Sequence, residues 1–162
     1  MQPEQVVLVN PPGPPRQTTN RDGAGGLGAT SLQPGGFRYP PLTLAGAAAV
    51  LRQARQSPLV IEAVGEGLDT GETIARVPQD TRVAVVLASW TTAASDREFL
   101  LALRAARPHA QILLLAAALE DWDSGSLTDL ADAWTLGDPG AYIDTAIEAQ
   151  LDGQRGALGR SL

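Results

Sequence analysis

Short runs of consecutive apolar residues alternate along the chain with stretches of helical period. Gln5–Asn10 (QVVLVN), Pro58–Val64 (PLVIEAV), Arg82–Ala88 (RVAVVLA) and Gln111–Ala117 (QILLLAA) are apolar almost throughout and rich in β-branched residues. That pattern predicts strands buried on both faces. After the first run, Leu44, Ala47, Ala48, Leu51 and Ala54 recur at helical spacing, with Arg52, Arg55 and Gln56 on the polar side. Pro40-Pro41 opens this helix, since a first-turn N–H has no intrahelical partner to lose. Asp69 with Glu72 has N-cap spacing and predicts a short helix over Gly71–Arg76. Ser95 with Glu98 predicts a capping box before a helix over Asp96–Ala106, which Pro108 ends. Further on, Leu119–Ser126 reads as a polar loop, Leu127–Ala131 as a helical turn and Asp132–Leu136 (DAWTL) as a fifth strand. Gly137-Asp138-Pro139 reads as a turn, and Ala141–Leu151 as a last amphipathic helix through Ile143, Ala146, Ile147 and Leu151.

Continuous apolar strands alternating with helices imply a parallel sheet covered on both faces. The expected class is α/β: a doubly wound five-stranded parallel sheet of flavodoxin-like (Rossmann-like) order 2-1-3-4-5. In such sheets ligands sit outside the carboxyl ends of the strands, at the switch point between strands one and three. The connection after strand one, from Pro11 to Tyr39, is far longer than the roughly 12–15 residues that structureless loops usually reach. It carries Asn20-Arg21-Asp22 and many glycines and has no apolar period, which marks it as a binding loop over that edge.

Composition narrows the function. The 162 residues fit one domain, read as 1–151 with a Gly/Arg/Ser-rich tail over 152–162. There is no cysteine, which removes disulfides, thiolate zinc sites, iron–sulfur clusters and cysteine nucleophiles from this chain. The net charge is −6 and all 12 basic residues are arginines, scattered without a stripe, which argues against nucleic acid. No apolar stretch approaches the roughly 18 residues of a membrane span, and Met1-Gln-Pro-Glu leads into a strand without a basic or leader-type segment. The expectation is a cytoplasmic protein with no membrane partner. Abundant Ala and Gly with no lysine suggest a bacterial source of GC-rich genome.

Several motifs have plain readings beside functional ones. Gly23-Ala24-Gly25-Gly26-Leu27-Gly28 resembles a dinucleotide fingerprint but neither follows a strand directly nor opens a helix. Glu120, Asp121 and Asp123 could suggest a metal, yet without histidine or rigid spacing they read as a solvated turn. A phosphoacceptor reading of Asp22 with Asp69 or Asp138 lacks the paired acids after strand one and the late lysine that it needs. Trp122 is expected near the surface and Trp134 in the core. No convergent acid–base or nucleophile set is present, so the chain on its own is not expected to be an enzyme.

The strand ending in Asn10-Pro11-Pro12, the loop NRDGAGGLG and the helix opening YPPLTLAGAAAVLRQA resemble the N-terminal cobalamin-binding domain of cobalamin-dependent radical S-adenosylmethionine enzymes. Ser89-Trp90-Thr91 after the third strand is similar to that family's strand–Ser–x–Thr segment. Asp132-Ala133-Trp134-Thr135-Leu136-Gly137-Asp138-Pro139 is similar to its late D-x-V-V-x-G-E segment. The likeness covers about residues 5–151. It departs where the family's fourth strand ends in Gly-Gly-Pro-His: here Ala116-Ala117-Ala118-Leu119 narrows the path to the backbone. The D-x-H-x-x-G motif of base-off carriers is missing, and the only histidine, His109, follows a helix on the wrong side of the sheet.

The resemblance implies cobalamin as cofactor, lying across the carboxyl edge with its tail between strands one and three. The implied binding residues are Asn10, Pro11 and Pro12, then Asn20, Arg21, Gly25, Gly26 and Gly28 of the loop. Tyr39, Pro40, Pro41, Leu42 and Thr43 follow at the helix start, with Ser89, Trp90 and Thr91 after strand three, Ala117 after strand four and Gly137 after strand five. Each also has a plain role as strand terminator, loop, helix start or local backbone partner. The expected function is a standalone, non-catalytic cobalamin carrier, accessory to a separate radical or methyl-transfer enzyme. The alternative is a degenerate domain that has lost the cofactor and serves as an interaction or assembly module, with a homo-oligomer compatible with either.

Overall fold

The computed structural model describes residues 6–22, 28–31, 39–116 and 125–136. The parallel sheet is formed by β1 (Val6–Asn10), β4 (Leu59–Glu62), β5 (Val83–Ala88), β6 (Gln111–Ala116) and β7 (Ala133–Leu136). Its spatial order is β4-β1-β5-β6-β7, which is 2-1-3-4-5 by order along the chain, with every neighbouring pair parallel. The fold is therefore α/β with a doubly wound, flavodoxin-like sheet.

Alternation along each central strand divides the core into two layers. Val6, Leu8, Val83, Val85 and Leu87 face α1 (Leu42–Gln53), which packs Leu44, Ala47, Ala48 and Leu51 against them. Val7, Val9, Ala84, Val86, Ile112 and Leu114 face the opposite side. There α4 (Ala93–Ala106) contributes Phe99, Leu100 and Leu103, and α5 (Gly125–Thr128) contributes buried Leu127. Ala54, expected on the stripe of α1, caps the helix and is exposed. Trp134 is half-buried against the second layer.

Local structure departs from expectation in three places. The second strand ends at Glu62, and Ala63–Glu66 coils into a single helical turn, α2, because the Glu62 side chain accepts the Gly65 N–H. The loop after β1 is not structureless: β2 (Thr18–Asn20) and β3 (Ala29–Ser31) pair antiparallel as a small ribbon. The Ser95–Glu98 capping box does not form. α4 begins at Ala93, preceded by a tight turn over Trp90–Thr92, and Ser95 Oγ donates back to the Thr92 carbonyl. The Asp69–Glu72 box does form at the start of α3 (Thr70–Arg76), with both reciprocal bonds present. The helix expected over Ala141–Leu151 and the tail over 152–162 lie outside the described residues. Among those described, no helix is long and apolar enough to cross a membrane.

Candidate functional site

Loops from β1, β4 and β5 converge at the carboxyl edge of the sheet, where one arginine organises them. Arg21 is 2% exposed although it follows a surface ribbon. Its Nη1 donates to Asn10 Oδ1 and to the Pro11 carbonyl, both at 2.7 Å, and its Nη2 donates to the Pro12 carbonyl at 3.1 Å. Nη2 also pairs with Asp96 Oδ1 at 2.5 Å, and neither side chain of the pair is exposed. Asp96 Oδ2 accepts from Thr92 Oγ1 at 2.6 Å and from the Ser89 N–H at 3.2 Å. Asn10 Nδ2 in turn donates to Glu62 Oε1. A continuous polar chain thus runs from Glu62 through Asn10, Arg21 and Asp96 to Thr92, across the ends of β4, β1 and β5. Buried charge persists only when it is paired and hydrogen-bonded, and the two proline carbonyls help by accepting bonds that no ladder partner claims.

The neighbours of Arg21 point the other way and hold the start of α1. Asn20 Oδ1 accepts the Tyr39 N–H at 2.9 Å, and Asp22 Oδ2 accepts the Thr43 N–H at 3.0 Å. Pro41 occupies the N-cap of α1 and has no side chain able to cap. Asp22 supplies the missing acceptor from outside the helix, and its negative charge suits the positive end of the helix dipole. Asn20-Arg21-Asp22 is therefore a brace that ties the ribbon to the sheet on one side and to α1 on the other.

Gly28 closes the ribbon onto β5. It adopts φ +85°, and a methyl group there would overlap Ser89 and lie 2.7 Å from Thr91 Oγ1. Ser89 is fully buried, and its hydroxyl lies 2.8 Å from Thr92 Oγ1. Ser89, Asn10, Pro11 and Arg21 are thus spent inside the fold, whereas Thr91 is exposed and Pro12 half-buried. Around this brace three large apolar side chains stand in solvent: Tyr39 at 65%, Leu42 at 70% and Trp90 at 56% exposure. Pro40 is exposed beside them, with Pro41 and Thr43 half-buried. Gly25, Gly26, Ala117 and Gly137 lie outside the described residues, as do Glu120–Asp123 and Asp138.

Glu62 and Asp96 escaped the sequence reading. An acid ending an apolar strand and an acid in a helix first turn each look like ordinary surface residues, and no spacing links them to Arg21. His109 is exposed, just ahead of β6 and so at the opposite edge of the sheet. Among the described residues no group of three or more His, Cys, Asp or Glu could hold a metal ion. The chain matches no protein-family model and no curated protein.

Proposed function

We propose that this domain is a non-catalytic carrier that holds cobalamin across the carboxyl edge of its sheet and presents it to a radical or methyl-transfer enzyme. The observation that carries the reading is the exposure of Tyr39, Leu42 and Trp90 around the braced ribbon. The ribbon touches the start of α1 through Asn20 and the Trp90–Thr92 turn through Gly28, so the three apolar side chains flank one platform. An aromatic and aliphatic platform suits the broad face of a macrocycle such as a corrin, whose burial is driven by apolar area. The same segments carry the resemblance to cobalamin-binding domains. The residues fit the ring face but not a histidine beneath the metal, since His109 stands at the other edge.

Titration of the protein with hydroxocobalamin tests this. The expected result is saturable, stoichiometric binding, seen as a visible-absorbance change and co-elution, with tryptophan quenching that falls sharply in Trp90→Leu. Neither spectral change nor co-elution at micromolar concentrations defeats the carrier reading.

One observation favours a second reading. Gly28 packs directly onto the buried Ser89 at the end of β5, so part of that edge is covered by the chain's own atoms. If cobalamin fails to bind, the exposed platform becomes a protein-docking face, and concentration-dependent self-association abolished by Trp90→Glu or Leu42→Glu is the expected signature.

A further inference from the structure

A cleft of about 660 Å³ opens on the α3–α4 side of the carboxyl edge, on the other side of the sheet from α1. One wall is the Pro12–Thr18 segment, the second is α2 and the start of α3, and the third is the first turn of α4. Its volume lies in the range of small-molecule sites. Pro12, Pro14, Val64 and Leu68 give it an apolar lining, and Arg16 and Glu98 bring opposite charges from different walls.

Both side chains are exposed and stay available to a ligand: neither the Arg16 guanidinium nor the Glu98 carboxylate is engaged in a hydrogen bond or ion pair within the described residues. The backbone under Arg16 sharpens the point. Gln17 N–H donates to the Pro14 carbonyl, closing a turn with Pro15 and Arg16 at its centre, and Arg16 has φ 62°. A proline followed by a left-handed residue is the pattern of a type II turn, whose third position favours glycine. The other left-handed arginine, Arg55, follows the C-terminus of α1, where Gln56 N–H returns to the Leu51 carbonyl in an ordinary helix-ending motif. No such helix end explains Arg16, and strained non-glycine residues concentrate at ligand sites.

We propose that this cleft binds a small zwitterion of the α-amino acid or short-peptide class. Its carboxylate pairs with the Arg16 guanidinium, its ammonium group with Glu98, and its apolar body lies on the proline and Leu68 surface. A planar guanidinium is suited to a carboxylate. The acidic groups at the cleft, Asp69 and Glu98, disfavour a dianion such as phosphate. The cleft shares Pro12 with the implied corrin-binding residues, but none of Tyr39, Leu42 and Trp90 lines it.

The test is chemical-shift mapping of the full-length, isotope-labelled protein with L-leucine and leucyl-leucine as probes, using N-acetylated and C-amidated forms as controls. Saturable shifts confined to the Arg16–Thr18, Gly67–Thr70 and Ser95–Glu98 amides are expected, with both blocked forms binding weakly. Arg16→Gly relieves the turn and removes the charge, so it is expected to raise the urea midpoint while weakening binding about tenfold, the scale of one lost charge-assisted contact. Glu98→Gln is expected to weaken the free-amine probes and leave the acetylated ones unchanged. Absence of clustered shifts with both probes, equal binding of the blocked forms, or unchanged binding in Arg16→Gly each overturns the proposal.

Discussion

Asp96→Asn is the sharpest test of the brace. The substitution keeps the shape of the side chain and removes its charge. In the wild type, Asp96 accepts from Arg21 Nη2 at 2.5 Å, Thr92 Oγ1 at 2.6 Å and the Ser89 N–H at 3.2 Å, with no part of the carboxylate exposed. The amide nitrogen of asparagine is a donor and cannot accept from either a guanidinium or an N–H. Arg21, also unexposed, would keep Asn10 and the two proline carbonyls but lose its counter-charge. Breaking a buried pair from one side costs about 3–5 kcal/mol because a charge is left uncompensated in the interior. Domains of this kind are stable by only about 5–15 kcal/mol. With a urea slope of roughly 1–3 kcal/mol per molar, the midpoint should fall by about 1 M or more. Removing both charges in Arg21→Met/Asp96→Leu should recover much of that loss, since apolar replacement of a buried pair is often neutral. Equilibrium urea unfolding followed by circular dichroism measures all three variants. A loss below about 1 kcal/mol for Asp96→Asn would show that the substitution does not leave Arg21 as an uncompensated buried charge.

Gly28→Ala combines an unfavourable left-handed backbone with overlap on Ser89 and Thr91. A cost of about 1–3 kcal/mol is expected, with faster hydrogen exchange confined to the ribbon and the Trp90–Thr92 turn; unchanged exchange there refutes the contact. Asp69→Ala removes one half of the capping box of α3 and should cost about 1 kcal/mol in urea unfolding. By contrast, Glu66→Gln breaks the Arg76–Glu66 pair, whose side chains are nearly half exposed. Its effect should stay within about 0.5 kcal/mol and vanish in high salt, because water and ions already screen that pair.

The strand runs, the apolar stripe of α1, the Asp69–Glu72 cap and the 2-1-3-4-5 order were legible in the sequence. Each is written by local period or by neighbours three or four residues apart, and right-handed crossovers leave a parallel sheet few alternatives. That the loops after β1, β4 and β5 meet at one edge of the sheet followed from topology for the same reason. What only the tertiary structure decided is how the long loop is used. β2 and β3 pair across a glycine-rich segment whose residues carry no alternation, so periodicity has nothing to detect. Arg21 finds Asp96 75 residues away, and Asp22 caps a helix that begins 20 residues later. Such pairings depend on burial and on which polar groups remain unsatisfied, properties of the assembled interior that no local spacing encodes. The sequence thus determined the scaffold and its open edge. The three-dimensional packing decided that Asn10, Arg21 and Ser89 hold that edge together while Tyr39, Leu42 and Trp90 face outward from it.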